Sequence, residues 1–315
     1  MTVPELEAVC VDLARRLRAA VLPSLGSHAA RAHSGASAHG DITFGLDELA
    51  EVELESFAAE TGTPLAVLSE DRGVVGPPEA EWLLVVDPVD GTRPALAGFE
   101  GACVSVAAAP NAPGATLGDV EIGVVLELKT GRSFVARRGG GVAADDALAP
   151  SANEDLSRLF WAAGYRGRPA ADLTAVIGPL VDRSSVGGGY FDPGSAAFIL
   201  TRVATGQLDA YVDVGPRVAV ELPGAEERFR AVGNGEILCN RPYDLAASLL
   251  VLRELGLPVT DAWGRPLEEM PLRGGIVSCL AAANEPLHAQ LLAVLEGRFA
   301  ELAATPSGAS GSLPV

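Results

Sequence analysis

Residues 82–92 read WLLVVDPVDGT, an apolar run that is followed at once by two carboxylates. The run at 83–86 predicts a short buried strand. Because Pro88 cannot continue a sheet ladder, we expect the strand to break there and to turn Asp87 and Asp90 toward one point. These carboxylates and the backbone carbonyl of Val89 are oxygen ligands of the kind that Mg²⁺ prefers.

The residues that follow suit an anion. Gly91 allows close approach of the backbone, and Thr92 is expected to cap a helix whose second residue is Pro94. Free amides at the start of a helix bind anions well. The stretch therefore indicates a divalent metal ion next to a phosphate group.

Other interpretations of the stretch are a plain polar turn, the phosphorylated aspartate of haloacid-dehalogenase phosphatases, and an EF-hand loop. Asp87 and Asp90 are three residues apart, whereas the haloacid-dehalogenase motif places its acids two apart, on one face of a strand. Pro88 does not fit the alternating ligands of an EF-hand. The polar turn stays open on these residues alone.

The composition is that of an ordinary globular chain, with 315 residues and 48% hydrophobic content. A prior of about 150 residues per domain predicts two structural units. The net charge is −18, from 23 basic and 41 acidic residues, which disfavours nucleic acid as a partner, since backbone phosphates need a basic face. An acidic protein binds an anionic substrate only where bound cations reverse the local field.

The sequence predicts neither export nor membrane insertion. Its apolar stretches fall short of the roughly 18 residues of a membrane span. The N-terminus, with Glu5 and Glu7, does not resemble a secretion signal. We therefore expect a cytoplasmic location and no membrane partner. The four cysteines are scattered without a Cys-x-x-Cys pair, so they predict buried thiols.

Residue patterns predict two units and a tail. Residues 1–145 are expected to form an α+β unit that carries the metal site, with helices on an antiparallel sheet. Residues 146–303 are expected to form an α/β unit that completes the site. The segment 304–315 is expected to be disordered. The elements predicted most clearly for the first unit are helices at 5–21 and 47–60 and strands at 102–107, 121–128 and 133–136.

Three further segments complete a known pattern. Glu70 ends a short strand-like run, Gly194-Ser195-Ala196-Ala197 opens a predicted helix, and Tyr243-Asp244-Leu245-Ala246-Ala247 begins another. With the Asp87 motif and in this order, they resemble the inositol monophosphatase family of Mg²⁺-dependent, lithium-sensitive phosphatases, over about residues 41–264. The resemblance implies a layered αβαβα sandwich of the inositol monophosphatase and fructose-1,6-bisphosphatase type.

The same resemblance implies a metal site. Glu70, Asp87 and the Val89 carbonyl would hold one ion, and Asp87, Asp90 and Asp244 would hold a second. Two or three Mg²⁺ ions are expected per site, with Mn²⁺ as a possible substitute and Li⁺ or Ca²⁺ as inhibitors.

Catalytic and substrate-binding residues follow from the resemblance as well. Thr92, with Glu70, would activate a water molecule, and Asp47 would orient the Thr92 hydroxyl. The amides of Gly91 and Thr92 would bind phosphate. The residues implied on the substrate side are Gly194, Ser195, Ala196 and Asp213.

Two departures from the family pattern bear on the substrate. Arg93-Pro94-Ala95 replaces a small polar residue and Phe, and Arg93 is expected to contact a second anionic group or only solvent. Asp213 and Asp244 are separated by 30 residues, more than in simple inositol phosphatases, so the segment 214–243 is expected to add structure near the site. Two bland interpretations stay open, with Asp244 as a helix cap and Asp47 on a solvated face.

The expected activity is Mg²⁺-dependent hydrolysis of a small phosphate monoester of an inositol, another polyol or a sugar. Alternatives on the same site are a 3′(2′),5′-bisphosphate nucleotidase, a histidinol phosphatase or a fructose 1,6-bisphosphatase. An alternative of another class is a regulatory binding protein of the family, associated with RNA polymerase and without a physiological phosphatase role. Members of the family are commonly homodimers, so the resemblance also implies a homodimer.

Overall fold

The computed structural model describes residues 1–36 and 42–304, so the predicted tail lies, apart from its first residue, outside the described residues. The α-helices are α1 (Val3–Val21), α2 (Gly45–Glu60), α3 (Thr92–Ala97), α4 (Ala170–Ser184), α5 (Ala196–Thr205), α6 (Gly215–Glu221), α7 (Ala225–Val232), α8 (Pro242–Glu254) and α9 (Glu285–Ala304). None of these helices is long and apolar enough to cross a membrane.

The strands are β1 (His33–Ala36), β2 (Ile42–Phe44), β3 (Leu65–Ser69), β4 (Gly73–Val75), β5 (Trp82–Asp90), β6 (Cys103–Pro110), β7 (Ile122–Glu127), β8 (Ser133–Arg137), β9 (Gly141–Ala144), β10 (Phe160–Ala162), β11 (Gly189–Phe191), β12 (Ala210–Asp213), β13 (Val259–Thr260) and β14 (Cys279–Ala282). The predicted helices of the first unit correspond to α1 and α2, and its predicted strands to β6, β7 and β8. Helix α1 buries Leu6, Cys10, Leu13 and Leu17, the apolar face that its spacing indicates.

Seven strands form the larger sheet, in the order β4-β3-β5-β6-β7-β8-β9. Strand β3 runs parallel to β5, and the other neighbouring pairs are antiparallel. The sheet is thus mixed rather than purely antiparallel as expected. The reason is β4, which folds back on β3, so that the chain returns to the same end of the sheet before β5 begins.

Five strands form the second sheet, in the order β11-β10-β12-β14-β13. Strand β10 is parallel to both of its neighbours, and β14 is antiparallel to both of its own. The carboxyl ends of β10, β11 and β12 therefore lie at one edge of this sheet, where an α/β sheet presents its loops to a ligand.

Helices and sheets stack in five layers. Helices α1 and α2 cover one face of the seven-stranded sheet, α5 and α8 lie between the two sheets, and α4 and α9 cover the far face of the five-stranded sheet. Three clusters of buried apolar residues fill the spaces between these layers. The αβαβα sandwich that the resemblance implied is confirmed.

Strand β5 is buried on both faces, which explains its continuous apolar run. Leu83 and Val85 belong to the cluster between the two sheets, while Leu84 and Val86 pack with α1 and α2. Strands covered on both sides are apolar throughout instead of alternating.

The strand does not break at Pro88, as the sequence predicted, but continues to Asp90. Asp87 pairs with Ser105 and Asp90 with Cys103, so three steps along β5 match two along β6. This irregularity is a bulge, and a bulge gives proline a place without a ladder hydrogen bond. The backbone N–H of Val89 donates to Asp87 Oδ1 at 3.0 Å, outside the ladder.

Helix α3 begins one residue earlier than expected. Gly91, not Thr92, is the N-cap, with a left-handed φ of 88°. A Cβ atom on Gly91 would lie 2.8 Å from the Gly101 carbonyl oxygen and 2.9 Å from Ser195 Cβ. Only glycine therefore fits at this position, where the end of β5 packs against the start of α5.

Candidate metal and substrate site

Four acids lie at one edge of the seven-stranded sheet. Glu70 directly follows β3, and Asp87 lies near the end of the neighbouring β5. Because these two strands are parallel and pair as far as Ser69 and Val86, the two acids lie side by side just beyond that last pair. Asp90 ends β5, and Asp244 lies in the first turn of α8.

Three of these acids form a compact oxygen cluster, which we call the acid cluster. Asp87, Asp90 and Asp244 each offer a carboxylate oxygen, and these atoms all lie within 4.8 Å of one another. Asp87 is 1% exposed and Asp90 is 6% exposed. Buried like charges are favourable only when cations compensate them. The acid cluster is therefore a candidate site for a hard divalent cation.

Burial disfavours the charged forms of all four acids. Burial raises the pKa of Glu70 well above its ordinary value, and the neighbouring Asp244 raises it further. The pKa of Asp87 is also raised well above its ordinary value by burial, then by Glu70 and Asp90. Burial raises the pKa of Asp90 to about 7 and that of Asp244 to about 6. Shifts in this direction are expected where several carboxylates lie buried close together.

Two helix starts hold the acids in place. Asp90 Oδ2 accepts the Ser195 hydroxyl at 2.6 Å and the Ala197 N–H at 2.7 Å, at the beginning of α5. Asp244 Oδ2 accepts the Arg241 N–H at 2.6 Å, at the beginning of α8. The cap interpretation of Asp244 is thus compatible with its place in the acid cluster. Ser195 is 2% exposed and points its hydroxyl at a carboxylate.

Thr92 lies beside the acid cluster as the first residue of α3. Its hydroxyl donates to Asp47 Oδ1 at 3.0 Å, and Asp47 Oδ2 accepts the Phe44 N–H at 2.8 Å. Asp47 is half-buried in the first turn of α2, so it does not lie on a solvated face. The Thr92 hydroxyl also lies 3.3 Å from the Val89 carbonyl oxygen, and Asp47 is the nearer of its two acceptors. Since neither neighbour donates, the lone pairs of the Thr92 oxygen are left for another donor.

Two cavities open on the acids and share one wall, formed by Glu70, Asp90, Arg166, Asp192, Gly194 and Asp244. The first, here called the Thr92 cavity, is also lined by Gly91, Thr92 and Arg93. The Arg93 guanidinium lies 5.5 Å from the centre of the Phe44 ring. The second, here called the Arg241 cavity, is also lined by residues 237–241, and Ser195 and Ala196 lie on it too.

Asp213 lines neither of these cavities, although the resemblance implied a contact with substrate. Its carboxylate is 1% exposed and accepts Arg168 Nη1 at 2.6 Å and Nη2 at 3.1 Å. Asn240 Nδ2 donates to it at 2.6 Å and the Gly215 N–H at 2.9 Å. With four donors, this carboxylate has no acceptor site left for a substrate hydroxyl. The prediction is corrected accordingly, and Asp213 instead positions Arg168 and Asn240, which do line the Arg241 cavity.

The segment 214–243 does add structure near the site. It forms α6 and α7 and then returns to the acids, where residues 237–241 line the Arg241 cavity. Arg168 Nε donates to the Leu238 carbonyl at 3.0 Å, and the Val277 N–H donates to the Asn240 carbonyl at 2.7 Å. The returning segment 237–241 is therefore held by hydrogen bonds from Arg168 and from Val277.

Five residues with charged or amide side chains line the Arg241 cavity but were not among the predicted site residues: Arg166, Arg168, Asp192, Asn240 and Arg241. The pair Arg166 and Arg168 stands shortly after β10, at a carboxyl strand end where ligands commonly bind. Two arginines at that place in an acidic chain are a signal that could have found them. Arg241 has no comparable signal, because its position depends on the return path of the segment 214–243.

A family model and two curated relatives match most of the chain. The model of the inositol monophosphatase family matches residues 3–298. A fructose-1,6-bisphosphatase/inositol-1-monophosphatase of Methanothermobacter thermautotrophicus is 29% identical over 301 residues, which cover 92% of this chain and 96% of the relative. A Nus factor SuhB of Xylella fastidiosa is 28% identical over 249 residues, which cover 78% of each protein.

Solved structures agree on the fold. An inositol monophosphatase from Anabaena (Nostoc) superposes with a TM-score of 0.66 at 19% identity, over 93% of this chain and 96% of that one. An inositol monophosphatase-fructose 1,6-bisphosphatase superposes with a TM-score of 0.69 at 20% identity, over 91% of this chain and 98% of that one.

Proposed function

Because the chain belongs to the inositol monophosphatase family, we propose that it is a Mg²⁺-dependent phosphomonoesterase that hydrolyses a small phosphorylated metabolite by direct attack of water. One observation carries the proposal. The carboxylates of Asp87, Asp90 and Asp244 converge to within 4.8 Å, with the Thr92 and Asp47 pair beside them.

The residues present fit Mg²⁺. Every candidate donor is an oxygen, and the buried acids repel one another unless cations offset their charge. Glu70, Asp87 and the Val89 carbonyl would hold one ion, and Asp87 with Asp90 and Asp244 a second. When bound, such ions neutralise phosphate charge and make water a stronger acid.

The side chains around the ions then have distinct tasks. Thr92 donates its proton to Asp47, so its lone pairs accept a hydrogen bond from the attacking water. Glu70 accepts the proton that this water loses. The amides of Gly91 and Thr92 donate to phosphate oxygens. Water adds to phosphorus as the ester oxygen leaves, and the leaving oxygen takes up one proton, which balances the proton passed to Glu70. The products are inorganic phosphate and an alcohol, without a covalent enzyme intermediate.

A polyol or sugar phosphate is the favoured substrate. The relative from Methanothermobacter thermautotrophicus is named for both fructose-1,6-bisphosphatase and inositol-1-monophosphatase activity, which supports this class. The 3′(2′),5′-bisphosphate nucleotidase and the histidinol phosphatase rank after it. A cytoplasmic homodimer, replacement of Mg²⁺ by Mn²⁺ and inhibition by Li⁺ or Ca²⁺ belong to the same proposal, and light scattering tests the dimer.

The experiment is a phosphate-release assay on the full chain, with Mg²⁺ and with EDTA. The esters are inositol 1-phosphate, fructose 1,6-bisphosphate, adenosine 3′,5′-bisphosphate and histidinol phosphate. We expect release from at least one ester with Mg²⁺, none with EDTA, and none from Asp87→Asn. Absence of release from all four would refute the phosphatase function.

A regulatory binding protein is the second candidate function, because a relative that covers 78% of this chain is named a Nus factor. Such a role does not require the acid cluster. Sedimentation of the full chain with purified RNA polymerase tests it, for wild type and Asp87→Asn in parallel. Association of wild type and of Asp87→Asn with the polymerase, together with no phosphate release, would favour this candidate. No association would exclude it.

A further inference from the structure

Glu70 lies in a tight turn at the edge of the seven-stranded sheet. Strands β3 and β4 pair as far as Ser69 and Gly73, so Glu70, Asp71 and Arg72 form the whole connection between them. Gly73 has a left-handed φ of 68°, a conformation that short hairpin loops commonly use. The place of Glu70 beside the acid cluster therefore depends on how residues 70–72, here called the Glu70 turn, are held.

A buried hydroxyl group links the Glu70 turn to helix α2. The Ser69 oxygen accepts the Arg72 N–H at 3.2 Å, which closes the turn from within. The same hydroxyl donates its proton to Glu51 Oε2 at 3.2 Å. Ser69 is fully buried and Glu51 is 1% exposed, so water does not compete for the bond between them. The position of the turn is thus coupled to that of α2 through this bond.

Two ion pairs also join the Glu70 turn to α2, but they are exposed. Arg72 pairs with Glu48 at 2.8 Å and with Glu55 at 3.2 Å, and a third or more of each of these side chains is exposed. Exposed ion pairs of this kind contribute little, because solvent screens them and the long side chains stay mobile. The buried bond between Glu51 and Ser69 is therefore the stronger of these links.

The burial of Glu51 is unfavourable for folding. Burial raises its pKa to about 7, and its second oxygen, Oε1, has no hydrogen-bond partner within the described ranges 1–36 and 42–304. The Asp71 N–H favours the charged form of Glu51 but does not complete a hydrogen bond to Oε1. Burial of a carboxyl group with so little pairing costs stability. Native proteins depart from full polar pairing mainly at functional sites.

Helix α2 contacts the proposed site at two points. Asp47 accepts the Thr92 hydroxyl, and Glu51 follows four residues later, so both carboxyl groups lie on one face of the helix. They are about 6 Å apart along the helix axis. This face therefore reaches Thr92 through Asp47 and the Glu70 turn through Glu51. Thr92 and Glu70 are the two side chains proposed to act on the attacking water.

We propose that Glu51 is a positioning residue, which holds Glu70 in its place at the metal site by fixing the Ser69 hydroxyl. This inference rests on the proposed function, in which Glu70 binds a metal ion and accepts a proton. Glu51 lines neither the Thr92 cavity nor the Arg241 cavity, so it acts through the backbone of the Glu70 turn. Side chains that orient a metal ligand commonly contribute about ten- to a hundredfold to metal affinity or activity.

The test compares two substitutions of Glu51. Glu51→Leu removes the acceptor of the Ser69 hydroxyl, whereas Glu51→Gln keeps an oxygen that can accept it. The full chain is titrated with Mn²⁺, and free Mn²⁺ is counted by electron paramagnetic resonance. Glu51→Leu should weaken the binding of at least one ion by about tenfold, and Glu51→Gln should bind Mn²⁺ nearly as wild type does.

Kinetics of phosphate release distinguish positioning from a general loss of structure. Glu51→Leu should lower kcat by about tenfold or more with little change in KM, and Glu51→Gln should restore most of the activity. Ser69→Ala removes the same bond from its other side, so it should show a similar loss, and the double variant should lose little more. Glu55→Gln is the matched control, since it removes an exposed contact between α2 and Arg72 of the same turn. It should change neither Mn²⁺ binding nor kcat.

Wild-type Mn²⁺ binding by Glu51→Leu would overturn the inference. So would an equal loss in Glu51→Gln or Glu55→Gln, because the hydrogen bond to Ser69 would then not be the cause. Losses that multiply in the double variant would show that Glu51 and Ser69 act separately, which also contradicts it.

The Mn²⁺ titration does not depend on the phosphatase function. If no ester releases phosphate, that function fails, and the titration alone decides whether Glu51 positions Glu70. Thermal unfolding in EDTA checks that each variant is folded. If Glu51→Leu does not unfold cooperatively, Ser69→Ala takes its place in both measurements, and wild-type Mn²⁺ binding by Ser69→Ala then refutes the inference.

Discussion

Asp47 and Thr92 are joined by a hydrogen bond of 3.0 Å although they lie 45 residues apart in the chain. The bond links the first turn of α2 to the first turn of α3, beside the acid cluster. Asp47 accepts the Phe44 N–H with its other oxygen at 2.8 Å. Both carboxylate oxygens thus face donors. The other neighbour of the Thr92 hydroxyl is the Val89 carbonyl oxygen at 3.3 Å, so the hydroxyl has only acceptors to donate to, and Asp47 is the nearer one.

Asp47→Asn should therefore lower kcat by roughly a hundredfold, with little change in KM. An amide carries one oxygen and one NH₂ group in place of two oxygens. In one orientation the NH₂ group would face the Phe44 N–H, and in the other it would face the Thr92 hydroxyl and displace its proton. The measurement is steady-state phosphate release at saturating Mg²⁺. Glu55→Gln, an exposed acid of the same helix that pairs with Arg72, is the control. Wild-type kcat in Asp47→Asn would rule out the orienting role.

Asp90 and Asp244 are proposed to hold the same ion, which predicts strongly non-additive effects. Asp90→Asn and Asp244→Asn should each lower kcat/KM by roughly a hundredfold or more, and the double variant should lose little beyond either one. A double-mutant cycle on phosphate release measures the coupling. Asp182→Asn, exposed near the end of α4, should have no effect. Losses that multiply would be incompatible with a shared ion.

Mg²⁺ should stabilise the folded protein and so raise its melting temperature. At a concentration a hundred times its Kd, it should add about 2.7 kcal/mol to the free energy of unfolding. In EDTA, Asp244→Asn should melt higher than wild type, since one of several buried acids has lost its charge and the amide oxygen can still accept the Arg241 N–H. With Mg²⁺ the order should reverse. Calorimetry in both buffers checks this, and the same order in both would contradict it.

Glu51 should make stability fall as the pH rises. It is 1% exposed, accepts the Ser69 hydroxyl at 3.2 Å, and burial raises its pKa from 4.5 to about 7. Between these values the folded protein keeps a proton that the unfolded chain has released, so the free energy of unfolding decreases through this window, by about 3 kcal/mol.

Glu51→Gln isolates this contribution. Urea unfolding in EDTA at a pH of about 5 and about 8 should show the variant gaining on wild type at the higher pH, by an amount near that decrease. Glu55→Gln should show no such gain. A difference between Glu51→Gln and wild type that does not depend on pH would mean that Glu51 is not the titrating group.

The acid cluster could be predicted because each member stands in a short local motif. Asp87 and Asp90 follow an apolar run, and Asp244 follows an aromatic residue at the start of a helix. The prediction that the strand breaks at Pro88 was wrong for a physical reason. A bulge depends on the partner strand, and one strand read alone does not show which residues of β6 it will face.

The Arg241 cavity could not be predicted in the same way. The resemblance placed Asp213 on the substrate side, but Arg168, 45 residues before it, donates to both of its oxygens. The position of Arg241 depends on where α6 and α7 direct the chain. Long-range ion pairs and the paths of inserted segments are decided by packing, and single-sequence patterns carry little information about packing.

The metal site depends on which face of β5 each acid occupies, and the irregular pairing of Asp87 with Ser105 and of Asp90 with Cys103 decides this. In a regular strand, two residues three apart face opposite sides. Regular pairing would therefore turn Asp90 toward α1 and α2 and bring Val89, which now packs there, into the acid cluster. That exchange would place a carboxylate in an apolar core, at a cost of several kcal/mol. The apolar core between β5 and helices α1 and α2 thus disfavours regular strand pairing, which would separate the acids of the metal site.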